Sequence, residues 1–246
     1  MAEPLWTSQE IVAATGGRLS GAPFVVNGVS IDTRSIETGD LFAARAGGRD
    51  GHEFVAQALA AGASGALVSQ GVEGSSVVVE DTLKALERLG EAARDRAPQT
   101  RRGAVTGSVG KTSVTQAVRA GLMLAGKAHS SVKSYNNHIG VPLTLARMPR
   151  DTERAVFEIG MNHADEIAPL SRFVRPHAVA ITTVGPVHVE NFPDGETGVA
   201  RAKAEIFAGL EPGGTAVLKA DNAWFELLSA EARKAAVRAM SSVVGT

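Results

Sequence analysis

The segment Thr106-Gly107-Ser108-Val109-Gly110-Lys111-Thr112-Ser113 joins a short apolar stretch to a run with helical periodicity. Glycines let backbone N–H groups approach phosphate oxygens, and a helix N-terminus adds partial positive charge. A lysine neutralises the β and γ phosphates, and a hydroxyl can ligate Mg²⁺. The longer Walker pattern places glycine where this chain has Val105, so the loop is a shorter variant. The bland alternative is a glycine-rich turn with a surface lysine. Glu158 ends the apolar run Ala155-Val-Phe-Glu158, where a carboxylate is costly unless it meets a cation, which points to a metal ligand. A strand-end carboxylate facing water, or paired with an arginine, is the alternative. His188 lies in Gly185-Pro-Val-His-Val-Glu190, and a lone loop histidine is more often inert than functional. Lys203, in Ala200-Arg-Ala-Lys-Ala-Glu205, reads on physical grounds as a solvent-exposed helix residue.

These residues need a frame. From Gly103 onward the chain alternates strand (103–106), glycine turn, helix (112–125, with Val114, Val118, Leu122 and Ala125 on one side), strand (155–159) and helix (165–174). Strand (178–184), helix (197–210) and strand (215–218) follow. Alternation of this kind predicts a parallel sheet with helices on its faces, and ligands then sit beyond the carboxyl ends of the strands. The loops after Thr106, Ile159 and Val184 should therefore converge. Before Gly103 the pattern is mixed α/β. Thr7 or Ser8 caps a helix closed by Gly16-Gly17, and residues 24–31 are extended. Residues 52–61 are helical, 65–68 and 76–79 are strands, and Asp81 caps a helix with Leu83, Leu86, Leu89 and Ala93 on one face. The polar run 98–102 separates two domains, 1–98 and 99–246, giving an α/β fold with a small first domain and a phosphate-loop, parallel-sheet second one.

At 246 residues with 44% hydrophobic content, the chain can build proper cores. A formal net charge of −1 offers no broad attraction to nucleic acid or acidic membranes, so an anionic ligand needs a local site. With no cysteine, disulfides, thiolate metal sites and cysteine nucleophiles are excluded. Neither a leader-like start nor a bilayer-length apolar run is present, and the expected location is the cytoplasm without membrane insertion.

The loop 106–113, followed by Ser134-Tyr-Asn-Asn-His-Ile-Gly-Val-Pro-Leu-Thr-Leu145, Phe157-Glu-Ile-Gly-Met-Asn-His163, Gly185-Pro-Val-His-Val-Glu190 and Ala202-Lys-Ala-Glu-Ile-Phe207, resembles the Mur ligases in order and spacing. The Asn-Asn-His-Ile-Gly-Val-Pro and Gly-Met-Asn-His segments resemble the branch that joins D-alanyl-D-alanine to UDP-N-acetylmuramoyl-tripeptide. Ile31-Asp-Thr-Arg34, Gly39-Asp-Leu-Phe42 and Gly47-Gly-Arg-Asp-Gly-His-Glu-Phe54 resemble the family's segments for the UDP-muramoyl substrate.

The resemblance implies an ATP- and Mg²⁺-dependent amide-bond ligase working through an acyl phosphate. It also implies a third, C-terminal domain beyond Val243-Val-Gly-Thr246, and a full-length enzyme acting as a monomer. By resemblance Lys111, within the loop 106–113, binds ATP phosphates. Thr112 and Glu158 serve one Mg²⁺, His188 serves a second, and Lys203 is the lysine that the family carbamylates. Thr33, Arg34, His52, Asn136, Asn137, Asn162 and His163 fall to substrate binding. Asp165 stands where many relatives have glycine, and as a helix cap it bears on structure more than chemistry. Other readings remain: a neighbouring ligase of the superfamily, including the folylpolyglutamate type; a non-catalytic module for a UDP-sugar or nucleotide; and a general P-loop ATPase.

Overall fold

The computed structural model describes residues 3–45, 50–132, 134–235 and 238–242. Part of the 47–54 segment and the terminal 243–246 thus lie outside the described residues. The chain divides into two compact units, one of residues 1–96 with 145–150 and one of 97–144 with 151–246.

In the first unit, β1 (Trp6–Thr7) leads into α1 (Ser8–Thr15). Thr7 is the cap: its hydroxyl accepts from Glu10 N and its own N–H donates to Glu10 Oε2 at 2.8 Å, while Gly16 closes the helix at φ 71°. Next come β2 (Arg18–Ser20), β3 (Val25–Val26), β4 (Gly28–Ser30), β5 (Asp40–Ala43), α2 (Val55–Ala60), β6 (Gly65–Val68), β7 (Ser76–Val78) and α3 (Thr82–Asp95). They form a five-stranded sheet in the order β2-β7-β6-β5-β4, parallel except for β2. The expected extended run 24–31 is split into β3 and β4. The expected helix at 52–61 begins as a 3₁₀ turn, Gly51–Phe54, before α2, and β5 was not foreseen. Phe42, Ala44, Val55, Ala58, Ala66 and Val68 make one core, and α3 buries Leu86, Leu89 and Ala93 as its pattern requires.

The second unit contains β8 (Arg101–Thr106), α4 (Lys111–Leu124), β9 (Ala128–Ser130), β10 (Arg154–Glu158), α6 (Ile167–Val174), β11 (Ala178–Ile181), α7 (Glu196–Ala204), β12 (Thr215–Lys219), α8 (Phe225–Lys234) and β13 (Arg238–Ser242). Helix α5 (Gly140–Ala146) lies between β9 and β10 in the sequence. The six strands are all parallel, in the order β13-β12-β11-β8-β10-β9. Central β8 is flanked by β10 and β11, so the loops leaving these three strands emerge side by side at one edge.

Several boundaries differ from expectation for local reasons. Arg101 and Arg102 belong to β8 rather than to a linker, and buried Arg102 donates to the carbonyls of Val174, Arg175 and Thr100. Helix α4 buries only Thr115, and Val118, expected on its apolar side, is 40% exposed. Strand β11 stops at Ile181 because Thr183 O turns away to accept from Ser108 N at 2.8 Å. Helix α6 starts at Ile167, not Asp165: Asp165 sits at φ 65°, a left-handed turn that favours glycine, and caps nothing. The helix expected over 197–210 ends at Ala204 and tightens into a 3₁₀ turn, Glu205–Gly209. Helices α5 and α8 and strands β9 and β13 were not foreseen. Among the described residues no helix is long and apolar enough to cross a membrane.

Candidate functional site

The loop from β8 to α4 is shaped by two glycines. Gly107 has φ 152°, and a Cβ there would lie 1.9 Å from Thr182 Oγ1; Gly110, the N-cap of α4, has φ 80°. No other residue type fits Gly107, because Thr182 already holds the loop through its hydroxyl, which donates to Val109 O at 2.6 Å. Ser108 adds a second tie: its hydroxyl donates to Gly185 O at 3.1 Å and accepts from Gly185 N at 3.0 Å. Thr106 ends β8, buried, while Val109 and Ser113 are exposed.

Lys111 folds back over the loop, its Nζ donating to Gly107 O at 2.9 Å. Burial pushes its ammonium below the usual lysine range, partly offset by the negative charge of Glu158. Glu158 ends β10 and is 1% exposed. Its Oε1 accepts from Asn136 Nδ2 at 2.7 Å, whereas Oε2, also buried, has no hydrogen-bond partner among the described residues. The water-facing reading of this carboxylate is therefore excluded. A buried carboxylate oxygen without a donor, beside a lysine and the Thr112 hydroxyl, is a donor set that fits a hard divalent cation.

Lys203 overturns the solvent-exposed reading: it is 3% exposed on α7. Burial, and next the charge of Lys111, push its ammonium down to about 8.

A cavity of about 450 Å³ is lined by Lys111, Asn136, Asn137, Asn162 and His188, together with His138 and Glu166 among others. A hollow of about 350 Å³ shares Lys111 and Asn136 with it and adds Gly110, Thr112, Ser113 and Glu158. Asn137 also accepts from Ile139 N and Gly140 N, and so caps α5. His188 sits at φ 63°. His163 lines neither cavity and pairs with Glu166 at 3.2 Å. Among the described residues no three His, Asp or Glu side chains converge as a ready-made metal centre.

The remaining candidates lie in the first unit. Thr33 and Arg34 occupy a 3₁₀ turn, where Arg34, 87% exposed, pairs with Asp32 at 2.7 Å. The His52 side chain is 5% exposed: Nδ1 is bonded to Asp50 Oδ1 at 2.5 Å, and Nε2 accepts from Ser69 N at 2.8 Å.

Sequence reasoning passed over two residues. Asn222, after β12, donates to Thr183 Oγ1 at 2.9 Å and Val184 O at 3.1 Å, bracing the approach to His188. The strand-end rule used for three other loops, applied to β12, would have found it. Glu205 was quoted in a motif but given no part.

A parallel sheet with a glycine cradle, an inward lysine and a buried, half-satisfied carboxylate at its carboxyl edge defines a phosphate-loop α/β protein. The chain belongs to the Mur ligase family, whose middle-domain model matches residues 105–244. It is 39% identical over 219 residues to the UDP-N-acetylmuramoyl-tripeptide–D-alanyl-D-alanine ligase of Escherichia coli (strain K12), covering 88% of this chain and 48% of that one. To the ligase of the same name in Bacillus subtilis (strain 168) it is 38% identical, over 87% of this chain and 49% of the other. In structure it is similar to MurF from Acinetobacter baumannii, with TM-score 0.83, 32% identity and coverage of 97% and 53%. The chain thus spans about half the length of the curated relatives it matches.

Proposed function

We propose that the chain is the substrate- and nucleotide-handling part of an ATP-dependent ligase that adds D-alanyl-D-alanine to UDP-N-acetylmuramoyl-tripeptide in peptidoglycan precursor synthesis, in the cytoplasm. The observation that carries this reading is the partnerless buried oxygen of Glu158 beside the Lys111 loop. Such a carboxylate is stable only if a cation completes it.

In this reading the peptide's terminal carboxylate attacks the γ-phosphorus of ATP, giving an acyl phosphate and ADP. The D-alanyl-D-alanine amine then adds to the activated carbonyl, and phosphate leaves with the C–O electron pair as the amide forms. The protein mainly has to hold two anions together and neutralise charge as it shifts. The N–H groups of 107–113 cradle the phosphates, and Lys111 neutralises them. Glu158 and Thr112 would hold one Mg²⁺ and His188 a second, and ions bound there would supply charge stabilisation to the phosphoryl oxygens. Asn136 keeps Glu158 oriented, and Asn137, Asn162 and His163 face the muramoyl peptide. Lys203, whose ammonium is pushed down to about 8 by burial, gives up its proton more readily than an exposed lysine and is suited to carbamylation, which would turn a buried cation into an anion. In the first unit Thr33, Arg34 and His52 belong to the UDP-muramoyl segments, and a C-terminal domain completes the enzyme.

The test is calorimetric titration of the folded chain with UDP-N-acetylmuramoyl-tripeptide, with UDP-N-acetylglucosamine as control. Selective binding of the tripeptide is expected. Equal binding of both would reduce the chain to a UDP-sugar module, and no binding to either would sink the substrate assignment.

A further inference from the structure

The helix carrying Lys203 ends abruptly, and its next turn does something the sequence did not announce. At Glu205 the backbone tightens to 3₁₀ geometry, and both carboxylate oxygens turn to the start of α6. Oε1 accepts from Asp165 N at 2.7 Å; Oε2 accepts from Ile167 N and Ala168 N, both at 3.1 Å. Helix α6 has no side-chain cap of its own, so these N–H groups depend on a carboxylate distant in sequence. The two elements also meet at backbone distance: a Cβ on Gly209 would lie 2.0 Å from Ser171 C, and Ser171 Oγ donates to Ile206 O at 2.5 Å. The turn secured in this way carries the Asn162 segment. Glu166 Oε2 accepts from Asn162 N at 2.7 Å, and Gly160, Asn162 and Glu166 line the 450 Å³ cavity.

We infer that Glu205 is a positioning residue: its carboxylate fixes the Asn162–Glu166 wall of the substrate cavity to the helix that bears Lys203. This rests on the ligase reading above. Asp165, at φ 65°, is held in a backbone state that a non-glycine residue leaves readily once its N–H loses its acceptor. Without Glu205 the turn relaxes and the cavity wall moves, while the phosphate loop, tied by Thr182 and Ser108, keeps its shape.

The test compares wild type, Glu205→Ala and Glu205→Gln by titration with UDP-N-acetylmuramoyl-tripeptide and, separately, with ATP·Mg²⁺. Glu205→Ala is expected to weaken tripeptide binding about tenfold and leave ATP binding within twofold. Glu205→Gln, which keeps one accepting oxygen for Ile167 and Ala168, should fall between and stands in if the alanine variant does not fold. Unchanged tripeptide binding in the folded variants overturns the assignment. So does a parallel loss of both ligands, the mark of a merely structural role. If wild type binds ATP but no tripeptide, the substrate reading itself fails and this inference falls with it.

Discussion

His52 in the first unit and Glu158 in the second are both buried polar side chains, yet they are held in opposite ways. His52 has both ring nitrogens satisfied, by Asp50 and by the Ser69 amide. Glu158 has one oxygen bonded to Asn136 and the other bonded to nothing among the described residues. Lys203 extends the contrast, since it is buried with its charge opposed by Lys111. The His52 side chain is satisfied within its own unit and stabilises the fold. The Glu158 carboxylate is left incomplete, and incompleteness is what a ligand can relieve.

Replacing Lys111 should break the second unit's site without touching the first. Lys111→Ala is expected to weaken ATP·Mg²⁺ binding about a thousandfold, or ~4 kcal/mol, with UDP-N-acetylmuramoyl-tripeptide binding nearly intact. Loss of both in a folded variant would argue against this division of labour. Lys203→Met sharpens the contrast from the side of stability. The native pKa of about 8 lies below the unfolded value near 10.5, so the unfolded chain holds the proton more tightly. The penalty is fully present below pH 8 and is relieved as pH rises from there towards 10.5. In CO₂-free buffer at pH 7, Lys203→Met should therefore raise denaturation free energy by ~3 kcal/mol, a gain that shrinks across that window. A stability difference independent of pH would contradict the buried cation. His52→Ala should do the reverse and destabilise the first unit by ~2 kcal/mol in denaturant melts, through the stranded Ser69 amide and lost packing. ATP binding should not change; if it did, the comparison of the two units would fail.

Glu158 and the phosphate loop were legible because each contradicts its surroundings: a charge at the end of an apolar strand, and glycines between a strand and a helix. The parallel arrangement was legible from the alternation of elements after Gly103. Lys203 was not, because in Ala-Arg-Ala-Lys-Ala-Glu every neighbour is small or charged, and only packing decides which side of α7 turns inward. Helix α5 was missed because its cap, Asn137, precedes a proline-containing run with no helical polarity. Glu205 was invisible for another reason: its partners are amides at 165–168, and no local pattern encodes so remote a cap.

Ser108 stands where a ligand-binding hydroxyl is expected, yet its one proton goes to Gly185 O and it receives the Gly185 N–H in return. A side chain so fully committed works as a rivet between two loops, and in the proposed function the main chain around it meets the phosphates. The rivet has a beneficiary. His188, three residues beyond Gly185, keeps a left-handed backbone at φ 63°, a state that persists only where the surroundings leave no easier one. A serine in the glycine loop after β8 thus helps decide the direction in which a histidine on a different loop can point.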